Sequence, residues 1–450
     1  MIRSLTVLAI SGALLSACGG NFQSTPRAFG GQPPALAAGA ANPYAVVMQF
    51  FGDAHGQYPY GGVLVTNARS AVQTLYGTTE TGGLGKACNY FCGTVWTAQS
   101  DGKSIVPIYD FKGALDGQEP LGNPVTDTKG ALYGTTSSGG RKYPPWYGLI
   151  YKLTLAKKKW TKTNVHIFSG SDGSGPQQLL LTGNELFGTS ANGVEAANCC
   201  GNVFEVRTDG SGFHVIHTFT SGAASKGETP AFGPLAYDPR TGALYGETRF
   251  GGHFDSFACQ QGCGVLYKLT PQGTGYAYSV LHTFAYLDDG TTATLYGDAA
   301  SGGIHNCGVS LPVGCGTVFS YADPGGFSTI YEFKGAQVQY SDAIQPQNGV
   351  VYLSGHLYGT ADAGGTPLPS GQVFGAIFDV DIASKSDVVL HTFSGYPHDG
   401  AMPQGGLTLA KTARGTVLYG TTFEGGSSKT CPGGSASPTG CGTLWRYVPH

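Results

Sequence analysis

A five-residue motif, Leu-Tyr-Gly-Thr-Thr, recurs along this chain with small variations and constrains its fold more than any other feature. The first copy begins at Leu75, and the later copies begin at Leu132, Leu186, Leu244, Leu295, Leu357 and Leu418. Successive copies are 51 to 62 residues apart. Because a unit of this length comes back so regularly, the sequence predicts a repeat architecture rather than several unrelated domains.

Other segments recur inside each unit and predict about four short strands. A Gly-Gly-Leu segment precedes the motif, as at 405–407, a Gly-Thr-Val-aromatic segment follows it, as at 93–96, and a strand ending in Phe closes the unit, as at 105–111. The motif carries bulk on both of its faces, as expected of a sheet packed between two neighbours. Its central glycine indicates a bulge or a close backbone approach. We therefore predict an all-β fold, a seven-bladed β-propeller; a parallel β-helix is the alternative, although its coils would be about half as long.

The two ends of the chain match each other. Unit seven stops after its third strand, whereas a lone strand at 44–50 precedes unit one and resembles the missing strand, 388–393, down to its terminal Phe. The sequence thus predicts that the N-terminal strand completes the last blade and closes the ring, which removes an exposed sheet edge. Unit five has little room for a first strand between Phe284 and Leu295, so we expect that blade to be irregular.

The N-terminal residues have the pattern of an export signal. Residues 1–18 hold one Arg, a short apolar run and the end Leu-Ser-Ala-Cys, which resembles a bacterial lipobox with Cys18 as the lipidation site. Residues 19–42 are rich in Gly, Pro and Ala and predict a flexible tether; residues 43–450 form the predicted propeller. No Asp follows Cys18, which by resemblance favours the outer membrane. The low charge content, 12%, and the net charge of −3 argue against a nucleic-acid partner.

Ten further cysteines fall into five pairs, each between the repeated motif and the third strand of its unit. The pairs are Cys88 and Cys92, Cys199 and Cys200, Cys259 and Cys263, Cys307 and Cys315, and Cys431 and Cys441. An even number of locally paired cysteines in an exported chain predicts disulfides, which would stiffen these loops. The adjacent pair could form only a vicinal ring or remain reduced. Zinc is the rival interpretation, but each unit lacks a second pair of ligands.

The combination of LYGTT, GG, GTVF, VLHTF and DGxxP resembles the bacterial GloVer tandem-repeat proteins over residues 44–450. The resemblance implies a surface or secreted protein with no established biochemical role. It therefore supports the predicted fold and location, and it supplies no catalytic residue.

Two sets of polar residues follow the repeat and are interpreted as structural. Acidic residues recur in the loop that enters each unit, at Asp53, Asp116, Asp172, Asp289 and Asp399. We expect each Asp to close its own turn, and we predict no metal site, because a calcium ion needs six to eight converging oxygens. Histidines at 166, 217, 282 and 391 share one position with Tyr109, Tyr331 and Met48. Because Tyr or Met takes the place of His at this position in other units, we interpret these histidines as packing residues rather than as reactive groups.

Residues that break the repeat are the candidates for ligand binding. They lie in loops expected on one face of the ring: Tyr58, Tyr90, Phe91, Tyr143, Trp146, His253, Phe254, Phe257, His305 and His398. Exposed aromatic side chains on a rigid face suit sugar stacking or a protein contact, with packing inside the loops as the alternative. Glycoside hydrolysis would need two acids in the channel; Glu119, Glu228 and Glu247 are possible, but no spacing joins them.

The sequence favours a monomeric, lipid-anchored binding module for an envelope protein or an extracellular glycan. It implies no cofactor, and it contains no Gly-x-Ser-x-Gly elbow, Walker loop or HExxH motif. Two alternatives remain open: a carbohydrate-active enzyme, a hydrolase or lyase using the channel mouth, and a structural scaffold without a ligand.

Overall fold

The fold is known from a computed structural model. It describes residues 42–449 except 53, 86–87, 89–91, 104, 194–199, 221–225, 231–232, 255–260, 285–294, 301–313, 323–325, 336–341, 367–373, 414, 429–430 and 432–439. The predicted signal and tether, including Cys18, lie outside these residues. Within the described part of the chain, no helix has the length and apolar character needed to cross a membrane.

The described chain is almost entirely built of short strands. It begins with β1 (Tyr44–Gln49). Unit one contains β2 (Leu64–Thr66), β3 (Thr74–Thr79), β4 (Thr94–Gln99) and β5 (Ile105–Asp110). A 3-10 helix at Ala114–Asp116 leads into unit two, with β6 (Gln118–Thr126), β7 (Leu132–Ser138), β8 (Leu149–Ala156) and β9 (Lys159–Ile167). Unit three contains β10 (Ser174–Thr182), β11 (Glu185–Asn192), β12 (Asn202–Arg207) and β13 (His214–Thr218).

The later units repeat this arrangement with some variation. Unit four contains β14 (Glu228–Pro230), β15 (Ala236–Tyr237), β16 (Leu244–Phe250), β17 (Val265–Gln272) and β18 (Gly275–Thr283). Unit five contains β19 (Leu295–Ala299), β20 (Thr317–Ala322) and β21 (Gly326–Glu332). Unit six contains β22 (Ala343–Leu353), β23 (His356–Gly364), β24 (Ala376–Asp381) and β25 (Ser386–Thr392). Unit seven contains β26 (Gly400–Ala401), β27 (Thr408–Thr412), β28 (Gly415–Thr422), β29 (Glu424–Gly425) and β30 (Thr443–Tyr447).

Each unit forms one antiparallel sheet, or blade. Unit one, for example, is ordered β2-β3-β4-β5, and unit six is ordered β22-β23-β24-β25. Hydrophobic clusters lie between neighbouring sheets, as where Val318 and Phe333 of unit five pack with Leu357 and Phe378 of unit six. Among the described residues, seven sheets form the blades, and an eighth, two-stranded sheet pairs β26 with β29. The seven blades confirm the predicted all-β, seven-bladed propeller. The expected irregular first strand of unit five falls on 285–294, outside the described residues.

The ring is closed by the N-terminal strand, as predicted. In blade seven the strand order is β27-β28-β30-β1, so the first strand of the chain is the outermost strand of the last sheet. β1 runs antiparallel to β30, with Tyr44 opposite Tyr447 and Gln49 opposite Thr443. The open edge of β30 is thereby paired.

The central glycine of the repeated motif makes room for an aromatic ring. A Cβ atom added at Gly77 would lie 2.2 Å from Cζ2 of Trp96, which is the aromatic residue of the third strand. The same contact recurs in every unit: Gly134 with Tyr151, Gly188 with Phe204, Gly246 with Tyr267, Gly297 with Phe319, Gly359 with Phe378 and Gly420 with Trp445. The sequence predicted a bulge or a close backbone approach here. The strand pairing does shift register beside this glycine in units two, three and six. The feature common to all units, however, is the close approach of the third-strand aromatic ring to the glycine.

A second irregularity recurs between the third and fourth strands. The pairing register shifts directly before the aromatic residue, as between Val95 and Trp96 in unit one and between Ile377 and Phe378 in unit six. A shift at the corresponding place is present in all seven blades. A bulge of this kind bends the strand and redirects the side chains that follow it. It precedes the position of the repeated histidines.

Candidate functional site

The loops at the two ends of the sheets define two faces of the ring. At one end, the loop after each second strand meets the loop that enters the unit: the amide of Glu80 donates to the carbonyl of Tyr58 over 3.0 Å. We call this end, which includes the described residues of the segments 80–85 and 423–428, the cysteine-loop face. At the other end lie the hairpins between first and second strands, such as 67–73 and 127–131, which we call the hairpin face.

The aspartates in the loops that enter the units fasten those loops. Asp172 Oδ2 lies 2.8 Å from Nε2 of His166, and its Oδ1 accepts a hydrogen bond of 2.8 Å from the amide of Ser169. Burial raises the pKa of Asp172, but these hydrogen bonds outweigh burial and hold the pKa below its ordinary value. Asp116 and Asp399 make corresponding contacts. Asp53 and Asp289 lie outside the described residues. Within the described residues, no group of three or more His, Cys, Asp or Glu side chains is arranged to hold a metal ion.

The repeated histidines pack against the neighbouring blade. Each imidazole ring stacks on an aromatic ring of the next blade. The distances between ring centres are 3.6 Å for His166 and Phe213, 3.9 Å for His217 and Tyr278, 3.9 Å for His282 and Phe327, and 3.5 Å for His391 and Tyr44. Burial, with Lys226 nearby, lowers the pKa of His217 to about 4, so that this ring is uncharged at neutral pH. These contacts agree with the packing interpretation.

Two of the expected disulfides lie wholly within the described residues. Cys88 is bonded to Cys92 and Cys431 to Cys441, each with a Cα–Cα distance of 5.5 Å. Three further cysteines, Cys200, Cys263 and Cys315, are also disulfide-bonded. Their expected partners, Cys199, Cys259 and Cys307, lie outside the described residues. The disulfides close loops on the cysteine-loop face.

One loop on this face presents several aromatic and cationic side chains to solvent. In unit two the segment Arg141–Tyr147 has the sequence Arg-Lys-Tyr-Pro-Pro-Trp-Tyr. Tyr143 is 68% exposed and Trp146 is 39% exposed. The guanidinium of Arg141 lies 5.5 Å from the ring centre of Tyr147, and Nζ of Lys142 lies 5.1 Å from that of Tyr143. This segment, which we call the aromatic loop, offers rings and cations side by side.

Of the other predicted ligand-face residues, those that the structure describes are distributed around the same face. His253 and Phe254 of unit four and His398 of unit seven are exposed. Tyr58 is half-buried and stacks on Phe423 with ring centres 4.6 Å apart, so its ring is used in packing. The remaining candidates, Tyr90, Phe91, Phe257 and His305, lie outside the described residues.

A cluster of ionisable side chains lies at the channel mouth of the cysteine-loop face. Glu80, Arg249 and Asp362 share one position, directly after the repeated motif, in units one, four and six. Tyr60 interacts electrostatically with all three, which places the cluster at the centre of the ring. Burial, with Glu119 nearby, raises the pKa of Glu80 to about 7, and burial raises that of Asp362 to about 6. Burial lowers the pKa of Arg249.

Two buried acids replace threonine at the fourth position of the motif. In unit one this residue, Thr78, donates its hydroxyl to the carbonyl of Gly122 in the next blade over 2.9 Å. Units four and five have Glu247 and Asp298 instead, which are 6% and 1% exposed. Asp298 Oδ1 accepts a 3.0 Å hydrogen bond from the amide of Gly349. Burial raises the pKa of Asp298 to about 8; burial and the nearby Asp298 raise the pKa of Glu247 well above its ordinary value.

These side chains can donate hydrogen bonds as well as accept them. Asp298 and Glu247, whose pKa values are raised furthest, retain their protons at neutral pH, and Glu80, with a pKa of about 7, is protonated about half of the time. A protonated carboxyl is a hydrogen-bond donor. The sequence had indicated Glu119, Glu228 and Glu247 as possible channel acids. The structure pairs Glu247 with Asp298 instead, while Ser137 hydrogen-bonds Glu119 over 3.2 Å. The cluster of Glu80, Arg249 and Asp362 at the channel mouth could have been found from the sequence, since the residue directly after the motif varies in charge from unit to unit.

Comparisons with known proteins identify a repeat family. The family model described as "Gloeobacter/Verrucomicrobia repeat" matches residues 85–311. Among solved structures, the chain is similar to one described as "a putative 6-phosphogluconolactonase from Bacteroides uniformis", with 13% identity and a TM-score of 0.41. That match covers 77% of this chain and 88% of the other. No curated protein matches the chain.

Proposed function

The chain belongs to the Gloeobacter/Verrucomicrobia repeat family, and from this premise we propose that it is a lipid-anchored binding module that holds an extracellular glycan on its cysteine-loop face. A propeller of this repeat family is suited to binding or interaction. The observation that carries the glycan proposal is the pair of exposed rings, Tyr143 and Trp146, on the same face as the polar channel mouth.

The aromatic loop supplies the apolar part of such a site. Tyr143 and Trp146 keep large areas of ring surface in water, and covering that surface with the apolar face of a sugar removes it from water. The loop begins and ends on a rigid sheet, between β7 and β8, so little conformational entropy is lost on binding. Arg141 and Lys142 add donors for hydroxyl or acidic groups.

The channel mouth supplies the polar part. Protonated Glu80 and the hydroxyl of Tyr60 both donate and accept hydrogen bonds, and Arg249 adds a cationic donor. Sugar hydroxyls also both donate and accept, so these groups complement them. Two acids alone do not make a glycosidase, since hydrolysis needs a carboxylate and a carboxylic acid placed on either side of the bond. We therefore propose binding rather than turnover.

An envelope protein is the second candidate partner, favoured by the composition of the aromatic loop. Trp, Tyr and Arg are the residue types that dominate protein-binding hot spots, and all three occur between Arg141 and Tyr147. A protein would rely on this loop and not on the channel mouth.

We predict that Trp146→Ala weakens glycan binding by about tenfold or more, because it removes one of the two exposed rings of the aromatic loop. Glycan-array binding followed by titration calorimetry with the array hit measures the change. The matched control is Tyr352→Ala, which removes a 38% exposed ring from β22, outside the aromatic loop; it should bind as the parent does. A silent array together with specific recovery of one envelope protein would contradict the glycan proposal. Equal affinity of Trp146→Ala and the parent would exclude the aromatic loop from the site.

Membrane attachment through Cys18 is part of the same proposal. We predict that the mature protein begins at Cys18 and carries a diacylglyceryl thioether on that residue. In a cell that has an outer membrane, we expect the protein to be attached to that membrane. Mass spectrometry of the N-terminal peptide from a membrane fraction measures this directly. An unmodified N-terminal peptide recovered from the soluble fraction would contradict the anchor and leave the binding proposal standing.

A further inference from the structure

A cavity of about 590 Å³ opens into the centre of the ring on the hairpin face. Its wall is formed by the first strands of units one, two, three and seven, with Pro234 from unit four. Most of the lining residues are aliphatic, among them Val65, Val125, Leu180 and Leu409. A cavity of this size and composition is in the range that holds small ligands in proteins. It lies at the opposite end of the channel from the proposed glycan site.

Among the residues that the structure describes, the charged residues lining the cavity are both cations. Arg69 follows β2 in its hairpin and Lys411 lies near the end of β27; both are exposed and both line the cavity. No carboxylate stands among the described residues that line the cavity. The chain as a whole carries a net charge of −3, so two cations without a lining acid are a local departure from its charge balance. The arrangement is an apolar chamber with a positive rim.

This combination selects one class of ligand. An apolar wall favours a hydrocarbon chain, because water in such a space lacks hydrogen-bond partners. A guanidinium binds carboxylate or phosphate oxygens with two parallel hydrogen bonds, and an ammonium adds charge. A neutral hydrocarbon would leave the cations unused, and a cationic amphiphile would be repelled by them.

We propose that this cavity binds a single-chain anionic amphiphile, with its alkyl chain against the first strands and its carboxylate or phosphate head between Arg69 and Lys411. This inference does not depend on the proposed glycan function, because it uses the other face of the ring and different residues. It gives the protein a second ligand of a lipid-like class.

The experiment is a calorimetric titration of the full chain with three twelve-carbon amphiphiles below their micellar concentrations: dodecanoate, dodecyl phosphate and dodecyltrimethylammonium. We expect saturable binding of one molecule of an anionic amphiphile, at least about tenfold tighter than that of the cationic one. The two anions distinguish a fatty acid from a phosphate-headed lipid. Absence of saturable binding, or equal binding of anions and cation, would overturn the proposal.

Charge reversal locates the site. The double variant Arg69→Glu, Lys411→Glu should weaken binding of the anion by about tenfold or more and improve that of the cation. Lys129→Glu is the matched control, since Lys129 is exposed in the corresponding hairpin of unit two and does not line the cavity; its affinity should equal that of the parent. Thermal unfolding of each variant verifies that it is folded. An unchanged affinity in the folded double variant would place the amphiphile elsewhere and refute the assignment.

Discussion

A chain shortened to begin at Phe51 is expected to lose its stable fold, whereas one that begins at Pro43 should remain native. The difference between them is β1, which occupies the open edge of β30. Tyr44 is 8% exposed and stacks on His391, and its hydroxyl donates to Asp399. Removing β1 would leave all of these groups without their partner.

The loss is large because β1 contributes to two hydrophobic clusters. Tyr44 belongs to the cluster of Phe393 and Trp445, while Phe50, directly after β1, belongs to the cluster that joins Trp96 of unit one to unit seven. Truncating a buried aromatic side chain to alanine typically costs about 3–5 kcal/mol, and a whole domain is stable by only about 5–15 kcal/mol. Losing both rings and one strand ladder therefore removes most of the stability.

Circular dichroism during heating and size-exclusion chromatography measure this outcome. The chain starting at Pro43 should unfold cooperatively and elute as a monomer. The chain starting at Phe51 should show no cooperative transition, or should associate through its exposed strand edge. Equal melting temperatures for the two chains would mean that the ring does not depend on this closure.

Repetition explains why so much of the fold could be predicted. A single copy of Leu-Tyr-Gly-Thr-Thr is compatible with many folds, but seven copies show which residues stay together in every unit. The match between Phe50 and Phe393 then indicated which strand was missing from unit seven. The histidines were interpreted correctly for the same reason, since a position shared with Tyr and Met has a packing role.

The remaining features depend on contacts that no single unit contains. The bulge before the third-strand aromatic residue has no residue type of its own: Ile108 and Val165 fill the shifted fourth-strand position, and both are ordinary strand residues. Tyr60 and Arg249 are far apart in the chain and meet only across the ring. The cavity on the hairpin face likewise results from how the first strands pack, which the pattern of one strand does not reveal.

The buried acids of units four and five predict a stability that depends on pH. Asp298 has its pKa raised from an ordinary value of 3.8 to about 8 by burial. Between these values the unfolded chain releases a proton that the folded protein retains. The free energy of unfolding should therefore fall as pH rises from about 4 to about 8 and level off above that. Below pH 4 both states are protonated, and this contribution vanishes.

Asp298→Asn should remove most of this contribution. Asparagine keeps an oxygen that accepts the hydrogen bond from the amide of Gly349, and it cannot ionise. At pH 8 the variant should be more stable than the parent by on the order of 5 kcal/mol, since each unit of pKa shift corresponds to about 1.4 kcal/mol. Glu247, Glu80 and Asp362 have raised pKa values as well, so a smaller slope of the same sign should remain.

Urea denaturation at pH 5, 6, 7 and 8 compares the two proteins. The parent should lose stability steadily over this range, and the slope for Asp298→Asn should be smaller by about 1.4 kcal/mol per pH unit, the value for one proton. Asp209→Asn is the control, because Asp209 is exposed; it should keep the slope of the parent. Identical slopes for the parent and Asp298→Asn would show that this carboxyl ionises in the folded protein.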